Sequence, residues 1–172
     1  MEGARIAQFL PVSREQLQQD WEKALPGTPL PEKIELPRRA TAGSAGYDLF
    51  SPADFTLEPS QAILLPTGVR VRMQAGWVLL LVPRSGLGSR YRLQLNNTVG
   101  VIDPDYFSAR NEGHIMLKLI NDSREGKKLV VRAGDAVAQG IFVPFGITED
   151  DEASGERAGG FGSTDNRGGE EK

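Results

Sequence analysis

The stretch Thr98-Val99-Gly100-Val101-Ile102-Asp103-Pro104-Asp105-Tyr106 ends an apolar run of strand-forming residues in two carboxylates and a phenol. Pro104 fixes its own φ and has no N–H to give to a ladder, so the strand must stop at Asp103. Asp103 is thereby anchored at a strand end with Tyr106 three residues on, close enough to share one pocket. An acid held this way can orient and activate a water molecule. The competing reading is a turn aspartate at an Asp-Pro step, a frequent structural use of that residue type. Asp105, at the second turn position, is expected to point away.

Other segments carry groups suited to phosphate or to a base. Pro83-Arg84-Ser85-Gly86-Leu87-Gly88 combines a guanidinium, a hydroxyl and unobstructed backbone N–H groups at one bend, the donors that phosphate oxygens need. An ordinary strand-to-loop turn with a surface arginine reads equally well. Asn96-Asn97 is a hairpin signal whose amides could also meet the polar edge of a base. Tyr47-Asp48-Leu49 follows Gly43-Ser44-Ala45-Gly46, small residues that permit close backbone approach or simply lead flexibly into a strand. Gly134-Asp135 reads as a turn before Ala136-Val137-Ala138-Gln139-Gly140-Ile141, and Gln139 in that apolar run needs partners if buried. His114 is the one histidine and there is no cysteine, so metal-ligand spacing is missing. Nothing resembles a nucleophile elbow, and His114 is expected to be a solvated strand residue. Walker A, the Rossmann glycine fingerprint and the zincin pattern are absent too.

Strands must position these groups. From about Lys33 to Phe145, strand signals recur between turn residues every 8–12 positions, the all-β pattern, without helical periodicity. Candidates are Lys33–Leu36, Tyr47–Phe50, Ala62–Leu65, Gly68–Met73, Trp77–Val82, Thr98–Ile102, His114–Ile120, Lys128–Arg132 and Ala136–Val143. Val69, Val71 and Met73 alternate with Arg70 and Arg72, a half-buried strand, whereas Trp77 to Val82 is apolar on both faces and should be central. A sandwich or jelly roll follows. Before it, residues 1–31 read as an extension with a strand, Arg5 to Pro11, and one helix. Ser13 and Gln16 form a capping-box pattern, Leu17, Trp21 and Leu25 make one apolar stripe, and Pro26-Gly27 stops the helix. After residue 145 apolar side chains almost vanish, and residues 146–172 read as a flexible tail. That tail nevertheless holds Gly159-Gly160-Phe161-Gly162-Ser163-Thr164, an aromatic between glycines ahead of two hydroxyls.

Bulk properties exclude several classes. A chain of 172 residues suits one domain with a real core plus an appendage. Its net charge of −3 has the wrong sign for a general nucleic-acid binder, so any anionic substrate must be met by a few placed arginines and backbone N–H groups. Without cysteine there is no disulfide, thiol nucleophile or zinc–thiolate site. The longest apolar run is far too short to span a bilayer, and no secretory pattern opens the sequence. A cytoplasmic protein without a membrane partner is the expectation.

In their order along the chain, Ala45-Gly46-Tyr47-Asp48-Leu49, Pro83-Arg84-Ser85-Gly86-Leu87, Asn97 to Tyr106, Gly134-Asp135-Ala136-Val137-Ala138-Gln139 and Gly160-Phe161-Gly162-Ser163-Thr164 resemble the five motifs of the trimeric dUTP pyrophosphatase (dUTPase) family. The resemblance spans about Leu36 to Thr164. It implies a distorted jelly-roll subunit, a homotrimer with shared active sites, and a C-terminal lid. The implied reaction is dUTP plus water giving dUMP and pyrophosphate, with Mg²⁺ on the triphosphate and no direct protein ligand to the metal. On this resemblance Asp103 matches the general base, and Tyr106 the aromatic under the deoxyribose that leaves no room for a 2′-hydroxyl. Asn97 and the backbone from Thr98 through Gly100, Val101 and Ile102 match the uracil pocket. Ser85 with Gly86 matches the α/β bridging-oxygen site, Arg84 and Gln139 match phosphate contacts, and Asp48 matches the acid supporting the metal's water shell. In the tail, Phe161 matches the ring over the uracil, Gly162 allows backbone approach, Ser163 and Thr164 match γ-phosphate ligands, and Arg157 is the phosphate arginine.

The sequence departs from that family in places. Arg157 lies one residue closer to its phenylalanine than in many members, Ser108 stands for a usual glycine, Asp165 follows Thr164, and Phe107 to Gly113 is longer than in compact members. The rival of the same fold is a dCTP deaminase, which needs an acid where Lys118 stands. A different class is a non-enzymatic trimeric binding module that has no need to keep Asp103 and the tail motif together.

Overall fold

The computed structural model describes residues 4–155. The N-terminal strand β1, Ala7–Pro11, is followed by helix α1, Arg14–Ala24. Ser13 caps α1, its hydroxyl accepting the Gln16 N–H at 3.1 Å. The reciprocal half of the capping box is missing, because Gln16 turns to Asp20 and the Ser13 N–H goes instead to Glu112. Leu17 and Trp21 are buried with Val12 and Ala53, and Leu25 packs beside them, so the stripe read in the sequence faces the body. The Trp21 indole N–H closes the loop after the helix by donating to the Thr28 carbonyl at 2.9 Å.

The body is built of antiparallel strands. A five-stranded sheet runs β2 (Arg38–Arg39), β3 (Tyr47–Phe50), β12 (Ala136–Pro144), β7 (Trp77–Pro83), β9 (Gly100–Ile102). A three-stranded sheet orders β5 (Ala62–Pro66), β10 (Met116–Asn121) and β8 (Leu93–Leu95). Two pairs complete it, β1 with β6 (Val69–Met73) and β4 (Phe55–Leu57) with β11 (Leu129–Val131). This is the expected all-β, jelly-roll-like architecture without a closed barrel. Strand β6 buries Val69, Val71 and Met73 and turns Arg70 and Arg72 outward, as its alternation requires. Strand β7 lies inside its sheet between β12 and β9, where an apolar run on both faces belongs. One core gathers Leu49, Leu65, Leu79, Leu81, Leu117, Leu119 and Val137 from the facing sheets.

Several expectations need correction. Lys33–Leu36 is not a strand; Pro31 and Pro37 flank it, and the irregular segment instead lays Ile34 against Gly68 and the core. Seven residues, Ser85–Tyr91, form a second helix, α2, inside the region read as free of helix. Two glycines and the lack of any buried residue deprive it of a periodic signal. Its end is local, Arg92 adopting φ 51° with its N–H on the Gly88 and Leu87 carbonyls. His114, expected on the surface, is fully buried. Its ring is accommodated because Asp20 and the Gly68 N–H satisfy both nitrogens. Among the described residues, no helix is long and apolar enough to cross a membrane.

Candidate active site

Three of the sequence motifs meet at the end of the five-stranded sheet. Register pairs Asp48 on β3 with Gln139 on β12, and Gln139 with Val82 on β7. The loop leaving β7 brings Arg84 over them. Its Nε lies 3.0 Å from Asp48 Oδ1, and its Nη1 donates to the Ala136 carbonyl at 3.4 Å. Gln139 answers the question its burial posed: the half-buried amide donates to the Pro83 carbonyl at 3.1 Å. Gly46 packs closely beside it, and a Cβ there, 2.5 Å from Gln139 Oε1, would push the amide away. Arg39 steadies the glycine-rich approach by donating to the carbonyls of Ala42 and Ser44. The result is an arginine aimed by a carboxylate, with the exposed Ser85 and Gly86 opening α2 next to it. Guanidinium, amide, hydroxyl and open backbone together can bind an oxyanion.

The third motif lies elsewhere. Asn96 and Asn97 form the expected turn, the Thr98 N–H reaching the Leu95 carbonyl at 2.9 Å, and Thr98 takes φ 71°. The turn does not join two strands of one sheet, because β8 pairs with β10 while β9 pairs with β7. Strand β9 is an edge strand, and an edge offers a row of backbone donors and acceptors. Val101 on it is 58% exposed and Val99 is 37% exposed. Asp103 follows, half-buried, at the N-cap position of the 3₁₀ helix Pro104–Ser108. Asp105 is exposed, as expected of the second turn acid. The Tyr106 N–H donates to the Asp103 carbonyl at 3.2 Å, so the two residues do share one tight turn. Tyr106 itself is only 4% exposed, its hydroxyl donating to the His114 carbonyl at 2.9 Å.

Asp103 and Arg84 are far apart within one chain. Ile102 pairs with Leu79, which sets Asp103 beside Val78, six positions before Arg84. At about 3.3 Å per residue this is roughly 20 Å along the strand. The chain therefore brings together Asp48, Arg84, Ser85, Gly86 and Gln139, and separately Asn97, Gly100, Val101, Ile102, Asp103 and Tyr106. Arg157, Phe161, Gly162, Ser163 and Thr164 lie outside the described residues. Sequence reasoning missed the backbone acceptors Ala136 and Pro83, which have no residue-type signal. It also missed Asn111, five positions from Tyr106, and the long-range links of Asp20 to His114 and of Ser13 to Glu112 that support the Tyr106 turn. Among the described residues no trio of His, Cys, Asp or Glu could cage a metal. Mg²⁺ often keeps its waters and arrives on substrate phosphates with one or two carboxylates nearby, so the single carboxylate of Asp48, paired with Arg84, fits that mode of binding.

Comparison with known proteins converges on one family. The dUTPase family model matches residues 32–165. The deoxyuridine 5′-triphosphate nucleotidohydrolase of Lactococcus lactis subsp. lactis is 42% identical over 134 residues, which cover 76% of this chain and 88% of that protein. The nucleotidohydrolase of the same name from Desulfitobacterium hafniense is 41% identical over 138 residues, covering 76% and 87%. The crystal structure of dUTPase from Streptococcus mutans superposes with a TM-score of 0.62 at 35% identity, over 82% of this chain and 98% of that one. A dUTPase from phage phi11 of S. aureus, solved for the coordination of a structural Mg(II) ion, shares the fold with a TM-score of 0.62 at 22% identity, over 87% and 97%.

Proposed function

The chain belongs to the dUTPase family, and from that premise we propose how its own residues divide the work of hydrolysing dUTP to dUMP and pyrophosphate. The observation that carries the reading is the spacing of two complementary half-sites. One offers phosphate donors around Arg84, the other an acid beside an edge strand, and roughly 20 Å separates Asp103 from Arg84 at ordinary strand rise. One nucleotide spans both only if they come from different chains, which supports sites shared between subunits of the homotrimer that the family resemblance implies. The exposed Val99 and Val101 support this, since apolar side chains on an edge strand favour burial against another surface.

In the shared site, Asn97 and the β9 backbone from Gly100 to Ile102 read the uracil edge. Cytosine would leave donors and acceptors unpaired there, and the thymine methyl would clash. Tyr106 packs under the deoxyribose. Asp103 takes a proton from a water aligned with the α-phosphorus; the oxygen attacks, the bond to the bridging oxygen breaks, and pyrophosphate departs. Such chemistry rests on positioning and charge neutralisation rather than on covalent work by the protein. Ser85 and Gly86 meet the bridging oxygen, and Arg84, aligned by Asp48, meets phosphate together with Gln139. Mg²⁺, when bound on the triphosphate, neutralises its charge, and Asp48 would face the water shell of that ion. Residues 146–172 close over the ligand, with Phe161 on the base, Gly162, Ser163 and Thr164 on the phosphates, and Arg157 adding charge; closure excludes water.

The test is pyrophosphate release from dUTP, dCTP, dTTP and UTP measured in parallel. Turnover of dUTP alone is expected. Ammonia release from dCTP would establish the deaminase reading instead, and no turnover of any of the four would leave a binding module.

A further inference from the structure

Behind the Asp103–Tyr106 turn, a hydrogen-bonded chain of side chains runs to α1, a segment outside the region that the family model matches. His114 is fully buried, and the Gly68 N–H donates to its Nε2 at 2.8 Å. The ring proton therefore sits on Nδ1 and is donated to Asp20 Oδ2 at 2.6 Å. Gln16 donates to the same carboxylate oxygen at 2.8 Å. On its backbone side, His114 offers its carbonyl to the Tyr106 hydroxyl at 2.9 Å, and Asn111 Nδ2 donates to that hydroxyl at 2.8 Å.

A second arm starts from the helix cap. The Ser13 N–H and hydroxyl donate to the two Glu112 carboxylate oxygens at 2.8 and 2.6 Å. Glu112 has φ 56° and Gly113 has φ 68°, a left-handed pair that costs energy at the glutamate. A Cβ on Gly113 would stand 2.5 Å from the Tyr106 carbonyl, so the loop is wound directly onto the tyrosine. Arg70, 3.7 Å from Glu112, lies over the Phe107 ring and donates to the Phe107 carbonyl at 2.7 Å. The segment 106–114 is thus clamped by α1 at two points.

We infer that α1 braces the sugar side of the site: Asp20, through His114, and Ser13, through Glu112, are positioning residues that set the depth and tilt of the Tyr106 ring. This deepens the reading that Tyr106 packs under the deoxyribose and rests on it. Rejection of a ribose hydroxyl is steric, and a ring displaced by a fraction of an ångström admits it. The helix therefore serves nucleotide discrimination as well as folding.

The experiment measures kcat/KM for dUTP and UTP in full-length Asp20→Ala, Asp20→Asn, Ser13→Ala and Tyr106→Ala proteins, together with Tm. Asp20→Ala is expected to narrow the dUTP over UTP ratio by roughly tenfold, the scale of a small misplacement in an oriented site. Asp20→Asn, whose amide oxygen still accepts the Nδ1 proton, should stay within about twofold of the parent. Ser13→Ala keeps its backbone donor and should narrow the ratio less; it carries the test if Asp20→Ala does not fold. Should Tyr106→Ala narrow the ratio while the folded helix variants lower only Tm, α1 is mere support and the inference is overturned with the sugar reading intact. An unmoved ratio in Tyr106→Ala overturns both.

Discussion

The region around Arg84 and the region around Tyr106, proposed to meet phosphate and sugar, are built on opposite principles. Around Arg84, the polar groups sit at a sheet end, half-exposed and steadied by one ion pair and two bonds to backbone carbonyls. Around Tyr106, the tyrosine and His114 are buried and Asp20, Asn111 and Glu112 half-buried, each nitrogen of His114 has a partner, and the segment carries two consecutive left-handed residues. Water already screens the first region, so its contacts add little to stability and remain available to a ligand. In the second, low polarity makes every missing partner costly, which turns the same kinds of bonds into a rigid template. On the proposed division of labour, the part that judges shape is preformed, and the part that meets charge is left open for the substrate to complete.

Four changes separate these two designs. Asp103→Asn keeps the size of the side chain but removes the base, and kcat should fall by about 10²–10⁴ with KM for dUTP near normal. Steady-state kinetics checks this, and an unchanged kcat removes Asp103 from the chemistry. His114→Ala leaves the Gly68 N–H without its acceptor in the interior and takes from Asp20 one of its two donors, and should cost about 2–4 kcal/mol in chemical denaturation. Arg84→Lys keeps the charge but loses the fork that bridges Asp48 and Ala136; KM should rise about tenfold with Tm nearly constant. A large fall in Tm there would abolish the contrast between the regions.

The smallest effect is a slope with pH. Burial holds His114 below its ordinary value of 6.5, with Asp20 opposing. The unfolded chain binds the proton as pH falls through 6.5 while the folded chain stays neutral, so stability should decline below that pH. Glu112, kept below its ordinary 4.5 by the two Ser13 bonds, adds a loss in the same direction at lower pH. Urea titrations from pH 7.5 to 4 should show the first decline in the parent and in Arg84→Lys but not in His114→Ala.

What could be read from the sequence follows from the range of the forces involved. Tyr47–Phe50 matches the strand formed, and the alternation of β6 and the apolar run of β7 report their burial directly. Each is a local pattern set by one strand's own faces. Phe55–Leu57 and Leu93–Leu95 are three residues long, too short for any period to register, and α2 buries nothing. Asp48, Arg84 and Gln139 were legible as motifs, yet only strand register puts them in one place. Asp20 and His114 lie 94 positions apart, and nothing near either residue foretells the other. Hence the lone histidine read as a solvated residue while it is among the most buried polar groups described.

The account turns on Asp103 and Arg84 serving one nucleotide from two different chains. Asp103→Asn and Arg84→Ala proteins, each weak alone, can be unfolded, mixed in equal amounts and refolded together. Shared sites predict recovery of dUTP hydrolysis toward about a quarter of the parent rate, the share of sites that random mixing in a closed ring leaves with both native residues. Mixed assemblies that form but recover no activity beyond the average of the two variants would contradict it.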